Sequence, residues 1–100
     1  MIKINITKEI GLPAALEQCA EECTELAHAA LKLARKYRNE NPTPRTEETL
    51  ISELEEELAD VILCTKVIME ELEISRGHIT RTIASKRKRW ETRILAMQTN

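Results

Sequence analysis

Four acids stand out by type and spacing. Glu22 and Glu25 lie in the stretch EECTEL, and Glu57 and Asp60 lie in EEELAD some thirty residues later. Each pair is an i, i+3 pair, so on a helix its two carboxylates are surface neighbours. On a helical wheel Leu16, Cys19, Cys23, Leu26, Ala30, Leu33, Ala34 and Tyr37 form one apolar stripe. Glu22 falls at its margin and Glu25 a little further round, whereas Glu17 and Glu21 point away. A second stripe runs through Ile51, Leu54, Leu58, Val61, Ile62, Thr65, Ile68 and Leu72. Glu57 and Asp60 stand to it as Glu22 and Glu25 stand to the first.

Packed through their stripes as an antiparallel hairpin, two such helices bring four carboxylates to one rim. Like charges held together repel, and more strongly as water is excluded. A divalent cation removes that cost. The donors are all oxygens, which suits a hard ion such as Mg²⁺ (or Mn²⁺) better than zinc. Glu53, one turn before Glu57 on the same side, is a candidate fifth ligand or base. A single acid pair of this kind is nearly uninformative; two matched pairs beside two stripes are not.

The opposite charge collects in SKRKRW, near the chain's end. There Lys86, Arg89 and Arg93 line one margin of a stripe made by Ile79, Ile83, Trp90, Ile94 and Met97. Facing the acidic rim, this basic edge would grip phosphates that a metal holds from the other side. Gln18 shares the Glu22 side and is a candidate for a base or ribose hydrogen bond. Trp90 is placed either to stack on a base or to anchor a subunit contact. Cys19, Cys23 and His28 invite a zinc site, but both cysteines fall inside the apolar stripe and fit as small packing residues.

The elements that must position these groups are helices. Ala, Leu, Glu, Lys and Arg dominate, against two glycines, three prolines and two aromatics in 100 residues. Residues 1–11 form an N-terminal arm, extended or strand-like over MIKINI. The first helix starts at Thr7 or at Gly11–Leu12–Pro13 and runs to about Arg38. Residues 39–47 are the one real loop, and Thr46 precedes acids in a first turn. The second helix spans about 47–73, Gly77 breaks the chain, and the third helix takes 79 to about 97. This is one all-α domain, 1–100, of three main helices in an antiparallel bundle. Its aliphatic core is thin, and Leu63 and Val67 lie off the main stripe of the second helix. Both features predict a core completed by homo-oligomerisation, as a homodimer or homotetramer.

Charge is unevenly spread. Residues 1–75 hold sixteen acids and eight bases, −8, whereas residues 76–100 hold one acid and seven bases, +6. An odd set of three cysteines without a paired framework fits a reducing compartment. With no signal-peptide core and no membrane-length apolar run, the expectation is a cytoplasmic protein without a membrane anchor.

EECTEL together with EEELADVI resembles the E-x-x-E and E-x-x-D signature of the MazG-like, all-α nucleoside triphosphate pyrophosphohydrolases. The resemblance covers roughly residues 12–93. It implies Mg²⁺-dependent cleavage of a (deoxy)nucleoside triphosphate to monophosphate and pyrophosphate, in nucleotide-pool house-cleaning. It implies Glu22, Glu25, Glu57 and Asp60 as metal ligands and Lys86 and Arg89 as phosphate contacts. On chemical grounds an acid not fully used by metal, Glu22 or Glu25, would orient or deprotonate the attacking water. Two features depart from the family pattern: the interval from Glu25 to Glu57 is long, and Trp90 stands where many relatives have Asn.

Two rival functions remain open on the sequence. One is a non-catalytic helical interaction module whose acids only solubilise. The other is a small nucleic-acid-binding dimer, for which KRKR and SRGHITRT speak and the overall acidity (pI ≈ 5.7) speaks against.

Overall fold

A computed structural model describes residues 3–40 and 44–98. The described residues hold four helices and no strand: α1 (Ile6–Ile10), α2 (Leu12–Arg38), α3 (Glu47–Glu71) and α4 (Arg76–Gln98). The all-α class is as expected, but several boundaries differ. The first two residues of the expected arm, and 41–43 of the loop, lie outside the described residues.

Residues 3–5 of the arm carry no helix or strand, Asn5 being extended, and residues 6–10 form a short helix, one residue before the alternative start at Thr7. Asn5 caps it, its Oδ1 accepting the Lys8 N–H at 3.0 Å, which supplies a partner to an end that otherwise has none. Gly11, at φ 87°, then turns the chain into α2. A side chain there would be strained, so the glycine is needed for the corner. Thr7 of α1 is buried, with its hydroxyl 3.2 Å from Glu71 Oε2 at the far end of α3.

α2 ends where expected. Asn39 takes the left-handed conformation (φ 57°), and Glu40 N–H reaches back to the Arg35 carbonyl at 3.0 Å. Thr46 caps α3 by accepting the Thr49 N–H at 3.1 Å. α3 stops at Glu71, and Glu73 takes a left-handed φ of 53° while Ile74 N–H bonds the Met69 carbonyl. α4 begins at Arg76, three residues before the expected start. Ser75 Oγ accepts the His78 N–H at 3.1 Å, which makes Ser75 the cap and leaves Gly77 inside the first turn.

Paired residues fix the α2–α3 register. Tyr37 meets Glu47, Glu22 meets Asp60, and Cys19 meets Cys64, so the partner number climbs as the α2 number falls. The two helices are therefore antiparallel. Their shared core is small: Ala15, Ala29 and Leu33 of α2 are buried with Leu50 of α3, the last only 1% exposed. α1 rests on both helices.

α4 packs on none of the others. Within one chain, therefore, the antiparallel bundle closes with two long helices and not three. The radius of gyration is 17.7 Å, against about 13 Å for a compact chain of this length. The accessible surface is 8452 Å², whereas a compact monomer of 11.5 kDa exposes about 5,800 Å². Much of the excess is apolar: Trp90 is 67% exposed, and Ile83, Leu95, Leu63 and Ile62 are each more than half exposed.

Candidate metal centre

The hairpin brings Glu22, Glu57 and Asp60 together. One carboxylate oxygen from each lies within 4.8 Å of the other two, with Glu22 and Glu57 half-buried and Asp60 exposed. Glu22 comes from the middle of α2; Glu57 and Asp60 lie one turn apart on the facing stretch of α3. Neither helix alone supplies three donors, so the antiparallel pairing makes the cluster.

Partial burial pushes the Glu57 carboxyl above the usual carboxylate range, and the charges of Asp60, Glu25, Glu22 and Glu56 push it the same way. All four acids expected from the sequence are thus in electrostatic contact. Glu25 stands beside Glu57 outside the tight triple. Gln18 is also accounted for: its Nε2 donates to Glu22 Oε1 at 2.8 Å, which holds that carboxylate in place.

Glu22, Glu57 and Asp60 would hold a Mg²⁺, whose bonds to oxygen are about 2.0–2.1 Å and whose neighbouring ligands therefore lie about 3 Å apart. Oxygens within 4.8 Å of one another would reach that spacing by closing up to about 2 Å through side-chain rotation. Three anionic oxygens with no nitrogen or sulfur match the hard-cation class. Among the described residues no comparable cluster involves cysteine or histidine, so Cys19, Cys23 and His28 do not converge as a zinc site.

The thiols instead form a line beside the acids. Cys19 is half-buried and bonded to the side chains of Cys64 and Cys23, and burial foremost raises its pKa; burial and Cys19 raise that of exposed Cys23. Raised thiols are poor nucleophiles, which fits packing rather than chemistry.

Lys86, Arg89, Arg93 and Trp90 are not brought to the acids within one chain, because α4 touches neither α2 nor α3. A different set of cations is. A cavity of about 300 Å³ opens beside Glu25 and Glu57 and runs toward the α2–α3 loop, with Lys32, Arg45 and His28 in its wall. Arg45 is ion-paired to Glu53, so Glu53 serves this wall rather than the tight triple. Sequence patterning offered one clue to the set: His28 and Lys32 follow Glu25 at i+3 and i+7, on the same helix face.

No protein-family model, curated protein or solved structure matches this chain. No helix among the described residues is long and apolar enough to cross a membrane.

Proposed function

We propose that the chain is a Mg²⁺-dependent nucleotide pyrophosphohydrolase of MazG-like type, cleaving a nucleoside triphosphate to monophosphate and pyrophosphate. The observation that carries this reading is the convergence of Glu22, Glu57 and Asp60 from two antiparallel helices, with Glu25 alongside. Acids dispersed only for solubility would spread around the helices rather than gather about one carboxyl, that of Glu57, and hinder its ionisation.

When bound, the cation neutralises phosphoryl oxygens and lowers the pKa of a coordinated water. The chain's own groups do the rest. Glu22, steadied by Gln18, and Glu57 and Asp60 are the ligands. Glu25, adjacent to Glu57 but outside the tight triple, is left to accept a proton from the attacking water.

The working form is a homo-oligomer. A single copy exposes about 2,600 Å² more than a compact monomer, an area of the size that obligate interfaces bury. A second copy covering the apolar stripe of α4 would also bring Lys86, Arg89 and Arg93 to the acidic rim from outside the chain. There they would meet the nucleotide's α-phosphate side, with Trp90 available to stack on the base.

The same exposed faces favour a second reading, a helical interaction module without catalysis. The test is release of inorganic pyrophosphate from a panel of ribo-, deoxy- and modified nucleoside triphosphates with Mg²⁺. The wild type releases pyrophosphate from at least one, and Glu57→Gln, folded by circular dichroism, does not. Equal rates for the two proteins refute the proposal.

A further inference from the structure

The cavity beside Glu25 and Glu57 has a charge pattern that an acidic rim alone does not need. Four carboxylates line it, those of Glu25, Glu53, Glu56 and Glu57, against the two permanent cations Lys32 and Arg45. With Glu22 and Asp60 of the adjoining triple, six carboxylates stand against these two cations, a net charge of −4 that repels a phosphate. Each divalent cation offsets two of those charges, and Lys32 and Arg45 are the positive side chains left to face a ligand once metal is bound.

The order of groups along the hairpin is also directional. On α2, Glu25, His28 and Lys32 share one face, and Lys32 lies about 10 Å along the helix from Glu25. On the other wall Glu57 is followed, toward the loop, by Glu53 and then by Arg45 paired to it. Glu25 and Glu57 stand at one end of the cavity, and the two cations stand toward the other, with Glu53 paired to Arg45. Glu53 holds the Arg45 guanidinium against α3, and a guanidinium's five donors can serve a carboxylate and a phosphate together.

We propose that Lys32 and Arg45 hold the leaving pyrophosphate end of the substrate, pointing toward the α2–α3 loop, while the α-phosphate lies at the carboxylate cluster. The proposal rests on the pyrophosphohydrolase reading and adds a polarity to it. Lys32 and Arg45 are then specificity residues that favour triphosphates over diphosphates, since a diphosphate places one phosphate fewer at the cationic end. His28, between Glu25 and Lys32, lies where the two halves of the bound polyphosphate meet.

The test is calorimetric titration with inorganic pyrophosphate, with and without Mg²⁺, on the full-length wild type and on Lys32→Ala, Arg45→Ala and, as control, Lys8→Ala on α1. The wild type binds only with Mg²⁺. Lys32→Ala and Arg45→Ala each weaken binding at least tenfold, as expected for loss of a charge-assisted contact. Lys32→Arg restores most of it, and Lys8→Ala leaves it within twofold. In turnover assays the two alanine variants lose their preference for triphosphate over diphosphate by a similar factor. Unchanged pyrophosphate affinity in both variants overturns the inference, as does absence of Mg²⁺-dependent binding by the wild type. Mg²⁺-dependent pyrophosphate binding that needs Lys32 and Arg45, with no nucleotide hydrolysed, supports the inference and sinks the hydrolase reading instead.

Discussion

Mg²⁺ and the substitution Glu57→Gln should act on stability in opposite senses, and the sign pattern is specific to a cation site. Without metal, the Glu57 carboxylate is opposed by partial burial and by Asp60, Glu25, Glu22 and Glu56. An amide of the same shape removes that opposition, so the metal-free variant melts above the metal-free wild type. With metal the ranking inverts. A ligand that binds only the folded state stabilises it by about 2.7 kcal/mol at a hundredfold excess over its Kd. In a chain of 100 residues each kcal/mol moves Tm by about 4–8 °C. The wild type should therefore gain roughly 10–20 °C at saturating Mg²⁺, at fixed protein concentration and matched ionic strength. Glu57→Gln, left with two of the three clustered oxygens, should gain only a small part of that. Differential scanning fluorimetry across a Mg²⁺ series reads both effects. Equal shifts in the two proteins, or a metal-free variant that melts below the wild type, would refute the reasoning.

Three further outcomes follow from the same geometry. The metal-free wild type should lose stability as pH rises from the ordinary glutamate range through the raised Glu57 pKa, because the folded state there binds more protons than the unfolded chain; the Tm–pH curve should flatten in Glu57→Gln. Glu73→Gly should stabilise the protein by about 0.5–1 kcal/mol in urea unfolding, because it relieves a left-handed residue at φ 53° at the cost of glycine's greater unfolded-state entropy. Finally, a hybrid oligomer of Glu57→Gln with Lys86→Ala/Arg89→Ala subunits should regain about a quarter or more of wild-type activity, because one intact site can form from two defective copies. Two inactive parents whose mixture stays inactive would place α4 against its own hairpin.

The acid pairs were legible in the sequence because burial and metal binding both obey helical spacing. Glu22 and Asp60 meet because the two helices pack, but on faces rotated from the counted stripes: Leu50, Ala15 and Ala29, outside them, are buried, while Leu16, Tyr37, Leu58, Ile62 and Leu72 of the stripes are exposed. Thr46 and Asn39 likewise mark real helix ends by ordinary capping chemistry. The α3–α4 turn was not legible. It places a glutamate, Glu73, where glycine is the common choice, and Ser75 rather than Gly77 sets the start of α4. α1 is legible only as an alternative helix start at Thr7, because five residues carry too little periodicity to separate a short helix from an arm. The wheel also gave α4 an apolar stripe without saying which surface meets it, and within one chain none does. Arg45 was hidden for another reason: it sits in the loop, where no period operates, and only its ion pair with Glu53 ties it to the cavity.

The central claim, a divalent cation held between α2 and α3, is met most directly by anomalous diffraction from crystals grown with Mn²⁺. A peak is expected at about 2.0–2.3 Å from carboxylate oxygens of Glu22, Glu57 and Asp60, absent from Glu57→Gln crystals. Crystals at saturating Mn²⁺ that show these three carboxylates hydrated and no peak between them would contradict it.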